Sequence, residues 1–378
     1  MEKEKVLCLD LFRFLCICAV ISIHVTSEPL AKLPADSWGY FFYYLVNTGS
    51  SFAVPAFLFL SGFVLFYNYE GNWTSARCKS FFYKRLSFTV IPYIIWSFFY
   101  FVGVQIIIGT NIFSQMDDSL VKLITGKNYA HLYYIIIILQ FYLLFPILMV
   151  LMKYFSCFRR NLLIFGAVFQ VAFFLVNRIY LHIQATGSFA FTYMLFYLLG
   201  GYLALNYSAC KNWLMKRPYL WGILWLVSGM IYTAKGWWIV QHPGAGYPWL
   251  SYANFLFYYL YVTFSCLALF LISHFLHQRW EKYLSLPAQW GMASFLIYLA
   301  HPAVLLLWRH YIVDMVTAYP VGYHLITVLG GIVSLLLPWA GYLMMRKYRF
   351  VWLFIGKVTP EVARPKKETS SMDSVSPG

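Results

Sequence analysis

The stretch Arg13-Phe-Leu-Cys-Ile-Cys-Ala-Val-Ile-Ser-Ile-His24 places ten mostly apolar residues between an arginine and a histidine. The run around it is long and apolar enough to cross a hydrocarbon core of roughly 30 Å. Eleven helical steps of about 100° leave positions 13 and 24 roughly 20° apart around the axis and ~16 Å apart along it. They share one face, and Asp10, three residues before Arg13, lies near that stripe and can pair with the guanidinium. An arginine at mid-membrane costs roughly 2.5 to 3.5 kcal/mol on insertion scales, so the line Asp10, Arg13, His24 must face protein or water. Two readings fit: a structural ion pair with a histidine snorkelling at the far end, or a functional line through the helix.

Composition extends the membrane reading to the whole chain. Of 378 residues, 61% are hydrophobic, 21% aromatic and only 11% charged, and the mean hydropathy is +0.66. These values exclude an ordinary soluble domain. The expected fold is an all-α polytopic membrane protein with about ten spans, near residues 6–26, 48–67, 88–108, 132–152, 162–180, 189–206, 218–238, 252–273, 291–312 and 323–345. The second is interrupted by Gly49-Ser50-Ser51 and Pro55, and its lead-in Tyr40 to Val46 reads as a possible re-entrant or interfacial piece. Residues 1–350 are read as one membrane domain and 351–378 as a tail, disordered at its Pro-, Ser- and Lys-rich end. The start Glu2-Lys3-Glu4-Lys5 is mixed in charge, and no cleavable signal peptide is expected.

Lysine and arginine mark the loops held on the cytoplasmic side. With both termini inside, 21 of the 28 basic residues fall in inner segments and six in outer ones, Arg13 lying within a span. The net charge of +15 is dispersed over those inner loops and carries no nucleic-acid motif. Anionic lipid is the expected partner. The seven cysteines fall in spans or inner loops, so no disulfide framework is expected.

Further landmarks follow in order. They are Leu9-Asp10-Leu11-Phe12 before Arg13 and His24; Val54-Pro55 through Phe59-Leu60-Ser61-Gly62-Phe63; and Phe82-Tyr83-Lys84-Arg85-Leu86 with Ile91-Pro92-Tyr93-Ile94-Ile95-Trp96. His131-Leu132-Tyr133-Tyr134 with Gln140 to Pro146, and Ser294 through Tyr298-Leu299-Ala300-His301-Pro302, complete the series. In this order and topology the sequence resembles the acyltransferase-3 family of integral membrane acyltransferases. Its ending, Phe350-Val351-Trp352-Leu353-Phe354-Ile355-Gly356-Lys357, and its aromatic bias are similar to the branch that serves intercellular-adhesion polysaccharide synthesis.

The resemblance implies a multi-pass protein of a bacterial plasma membrane. It moves an acyl group, commonly acetyl, from cytoplasmic acyl-CoA as co-substrate, with no bound cofactor, to a hydroxyl of an extracytoplasmic glycan or lipid-linked saccharide. Such chemistry needs a base near neutral pH, for which His24 is the candidate. Arg13, held by Asp10, supplies a fixed positive charge for the oxyanion or the acyl-CoA. Lys84 and Arg85 are placed to meet CoA phosphates, though the family's further arginine three positions on is Phe88 here, and ordinary positive-inside anchoring is the other reading. Ser61 with Gly62 marks either a close helix approach or a place beside the stripe. His301 either donates to the reacting carbonyl or bonds a neighbouring helix, and the spacing does not choose between direct transfer and an acyl-histidine.

Other candidates carry less. Trp237, Trp238 and the loop from His242 to Trp249 form an aromatic outer belt better explained by the membrane interface than by sugar stacking. His274 and His277 lack a third ligand, so no metal is proposed. Asp117 and Asp118 read as a solvated face, and Asn72-Trp73-Thr74 as a chance glycosylation match on the inner side. The competing class is a transporter exporting a polysaccharide or small solute, since buried charges and broken helices suit both. No internal inverted repeat is evident.

Overall fold

The computed structural model describes residues 8–112, 116–242, 244, 247, 249–313, 320–348 and 350–356. Among these, nine helices are long and apolar enough to span a membrane, and the shorter Ala190–Leu205 fills the place of the expected sixth span. The described residues are all-α, as hydrocarbon requires of a backbone that must satisfy its own hydrogen bonds. The first seven residues and the tail beyond 356 lie outside the described residues.

The opening stretch lies within α1 (Cys8–Lys32), which packs against helices from both halves of the chain. The weak second span resolves into α2 (Trp38–Gly49) and α3 (Ala53–Tyr69). Ser37 caps α2 by accepting from the Tyr40 N–H at 3.1 Å. The interruption read at Gly49-Ser50-Ser51 is therefore a true break, and the lead-in is a helix in its own right.

The basic motif ends α4 (Ser75–Arg85), whose N-cap is Thr74, accepting from the Arg77 N–H. The glycosylation-like triplet thus has a local structural use. A π-helical turn, Leu86–Val90, joins α4 to α5 (Ile91–Ile108). Pro92 has no N–H for the Phe88 carbonyl four residues back, so the helical ladder is interrupted there. After α6 (Met116–Thr125) the chain enters α7 (Tyr133–Tyr154), followed by α8 (Ser156–Arg160), α9 (Leu162–Val176) and α10 (Met194–Leu205). Then come α11 (Tyr207–Met215), α12 (Pro218–Gln241), α13 (Trp249–Trp280), α14 (Ser285–Met292), α15 (Ser294–Trp308), α16 (Pro320–Met345) and α17 (Trp352–Ile355). The tail therefore begins with an ordered turn: Val351 and Ile355 are buried, and Trp96 Nε1 donates to the Phe354 carbonyl at 2.9 Å.

Lipid offers no hydrophobic drive for helix association, so close packing must supply it. At the α3–α10 crossing a β-carbon on Gly62 would stand 2.1 Å from the Tyr197 carbonyl oxygen, and one on Gly200 would stand 1.9 Å from that of Phe59. Only glycine lets these backbones touch. The motif read at Ser61-Gly62 is, for Gly62, a close helix approach.

Candidate active site

Three histidines from distant parts of the chain converge. His24 comes from α1, His131 from the turn before α7, and His301 from α15. Their ring centroids lie 5.1 Å apart for His24 and His301, 5.8 Å for His131 and His301, and 6.4 Å for His24 and His131. His301 and His131 are fully buried, at 0% and 1% exposure, while His24 is half-buried. Among the described residues no group of metal-binding side chains is placed to hold an ion.

His24 and His131 are held through their backbone and His301 through its ring, and both ring nitrogens of His131 lack a partner. Asn47 on α2 donates to the Ile23 carbonyl at 3.0 Å and to the Thr26 hydroxyl at 2.8 Å. Arg309, just past α15, donates to the His24 carbonyl at 2.5 Å and pairs with Glu28 at 2.7 Å. These bonds fix the turn of α1 that carries His24. The Tyr298 hydroxyl donates to the His131 carbonyl. His131 precedes its span, and burial, with the two neighbouring imidazoles, holds its pKa well below the usual histidine range. It is neutral at neutral pH. The Nδ1 of His301 is 2.9 Å from the Ile297 carbonyl, so this nitrogen carries the proton and Nε2 carries the lone pair.

Tyr100 on α5 completes the cluster. Its hydroxyl donates to the Leu299 carbonyl at 2.6 Å and accepts from the Ala303 N–H at 3.0 Å. Those two groups are four residues apart, the spacing of a helical rung, so Tyr100 bridges one rung of α15 beside Pro302. Its ring stacks on Tyr129 at 4.5 Å and meets His131 edge-on at 5.0 Å.

The remaining predicted residues lie outside the cluster. Arg13 pairs with buried Asp10 at 2.5 Å, ~16 Å along α1 from His24. Tyr142 lies an equal eleven residues beyond His131 along α7, and the Arg85 guanidinium sits over its ring at 4.7 Å and over Phe81 at 5.1 Å. The Arg85 Nε and the nearby Tyr197 hydroxyl are buried without a partner. Lys84, adjacent in sequence, is exposed. Ser61 stands half-buried on α3, one turn from Phe57, whose ring is 6.1 Å from that of Tyr134. Tyr134 in turn lies 5.3 Å from Tyr298.

The lesser candidates are also placed. Trp237 packs on Phe41 and Tyr44 at 4.7 and 5.3 Å, and His274 accepts from the Tyr207 hydroxyl at 2.9 Å and faces the Cys8 sulfur at 3.3 Å. Asp118, expected without a partner, pairs with Lys122 one helical turn on at 2.5 Å. Sequence reasoning used His131 only as a landmark and passed over Tyr100. The sole available signals were a histidine flanked by tyrosines and a tyrosine three turns inside an apolar span.

A polytopic helical bundle with an imidazole cluster at one end of α1 and a half-buried arginine three turns along it defines a membrane protein built for polar chemistry. Residues 6–343 match the family model Acyl_transf_3, described as an acyltransferase domain. The chain belongs to this family and is a membrane acyltransferase. Comparison with curated proteins and with solved structures finds no match.

Proposed function

We propose that the protein transfers an acyl group, acetyl in the simplest case, from acyl-CoA at the Arg13 end of the bundle to a hydroxyl of a surface glycan or lipid-linked saccharide at the His24 end. Both termini lie in the cytoplasm of a bacterial cell in this reading. The observation that carries it is the separation of two polar centres: Arg13 lies eleven residues before His24 on α1, and Tyr142, whose ring lies under the Arg85 guanidinium, lies eleven residues beyond His131. In acyl-CoA the long pantetheine arm separates phosphates from thioester, so a donor bound by cations at one end presents its carbonyl well inside the bundle. Arg85, half-buried with an unpartnered Nε, suits a phosphate. Arg13 lies three turns from the imidazoles, which assigns it to the donor rather than to the oxyanion.

At the other end His24 takes the proton from the attacking hydroxyl, and the neutral His131 ring donates to the oxyanion. The test compares surface polysaccharide from cells carrying the wild-type chain or His24→Ala at matched membrane levels, by mass spectrometry of esters together with the amount of polymer outside. Normal export with loss of esters supports the reading. Persisting esters, or polymer collecting inside the cell, would replace it with export.

A further inference from the structure

Buried polar atoms without partners are rare in folded proteins and ask for a reason. Nε2 of His301 is such an atom: the residue is fully buried, and the ring's other nitrogen is committed to the Ile297 carbonyl. The bond at Nδ1 determines what the free nitrogen is. A carbonyl only accepts, so Nδ1 holds the proton, and Nε2 presents a lone pair inside the cluster. An imidazole in this state is a nucleophile toward a thioester carbonyl.

His131, whose two ring nitrogens also lack a partner, has no bond that fixes which of them carries the proton, and the two phenols beside His301 are occupied. The hydroxyl of Tyr298 is donated to the His131 carbonyl and that of Tyr100 to the Leu299 carbonyl, so neither phenol is poised to lose its proton. His24 differs from His301 in place as well as exposure. It is half-buried on the turn nearest the Arg309–Glu28 pair, while His301 lies enclosed behind it with ring centroids 5.1 Å apart. Two imidazoles in contact, one enclosed with a fixed lone pair and one open toward the acceptor side, match the two halves of a relay.

We propose that transfer is a double displacement in which Nε2 of His301 carries the acyl group. This rests on the acyl-CoA reading above. In the first half the Nε2 lone pair attacks the thioester carbonyl carbon. The tetrahedral adduct collapses, the C–S bond breaks with its electron pair on sulfur, and CoA leaves as the thiolate. The product is an N-acylimidazolium whose proton stays on Nδ1, donated to the Ile297 carbonyl. In the second half the acceptor oxygen attacks the acyl carbon while its proton passes to His24. The N–C bond then breaks and its electron pair returns to Nε2. Release of the proton from His24 to solvent balances the thiolate formed earlier. Tyr100, bonded to α15 at Leu299 and Ala303, each two residues from His301, is a positioning residue for the carrier.

The test uses the full-length protein in lipid nanodiscs with acetyl-CoA as the probe and no glycan. Tritiated CoA should exchange into acetyl-CoA, and carbon-14 acetyl should remain on the protein in a hydroxylamine-sensitive bond. Peptide mass spectrometry should place the acetyl group on the peptide containing His301, a measurement that needs no variant. His301→Gln, checked for a wild-type elution profile, should lose both exchange and label. Transfer to hydrolysed surface polysaccharide without any exchange or label would mean direct transfer. That outcome sinks the carrier and leaves the proposed function standing. Exchange surviving in His301→Gln would overturn the assignment to this residue. Absence of exchange, label and transfer together, with the protein correctly inserted, would sink the acyl-CoA reading and the carrier with it.

Discussion

The hydroxyl of Tyr100 stands where a regular helix would have one of its own hydrogen bonds. Replacing it by phenylalanine keeps the ring packed on Tyr129 and His131 and leaves the Leu299 carbonyl and Ala303 N–H to bond each other alone. The stability loss should therefore be small, about 1 kcal/mol. Activity should fall far more, because loss of the bridge lets the turn that carries His301 shift, and a displacement of about 1 Å at a reacting group can cost about 10²-fold. Tyr100→Phe is expected to lower kcat for acyl transfer by about that factor with KM for acyl-CoA nearly unchanged; equal losses of stability and activity would reduce Tyr100 to a packing residue. At this scale adjacent residues part company. Lys84 and Arg85 look equivalent in sequence, yet only the arginine is laid against Tyr142 and Phe81, since neighbouring positions on a helix point about 100° apart.

Among the elements, α3 and α10 form a crossing with no room for a side chain. Gly200→Ala puts a methyl group against the Phe59 carbonyl and should destabilise the protein by about 1–3 kcal/mol through overpacking. Gly222→Ala on α12, where a β-carbon meets nothing within 4 Å, should be neutral or gain up to about 1 kcal/mol of helix propensity. Thermal unfolding in detergent separates the two, and equal melting temperatures would mean that the crossing is loose. The helices themselves were legible in the sequence, because a backbone in hydrocarbon has to be helical and apolar runs declare themselves. Partners were less so. Gly62 signalled a close approach, but not that α10 makes it, and the short sixth span was read at full length because its flanking 3-10 turn, Ala190–Tyr193, is equally apolar.

For the molecule as a whole, orientation is the property with the widest consequence. The proposed function has the Arg13 end in the cytoplasm, as loop charge favours, and exposed Cys157 on α8 follows α7, which carries the chain away from His131. A membrane-impermeant maleimide should leave the protein unlabelled in intact cells and label Cys157 once the membrane is opened. Labelling of intact cells would invert the topology, and with it the side from which a donor must enter. The charge bias was legible residue by residue. The enclosure of the site was not, because it depends on α15 and the turn before α7 closing over one end of α1.

By itself the sequence determined the elements and everything local to one of them: the spans, the break before α3, and the stripe from Asp10 through Arg13 to His24. These follow from hydropathy and helical pitch, which act between near neighbours in the chain. Only the tertiary structure decided that His131 and His301 join His24, that Tyr100 bonds into α15, and that Arg85 turns inward while Lys84 does not. Helix association in lipid is governed by shape and by a few buried polar contacts between distant segments. No single span records which partner its polar face will meet.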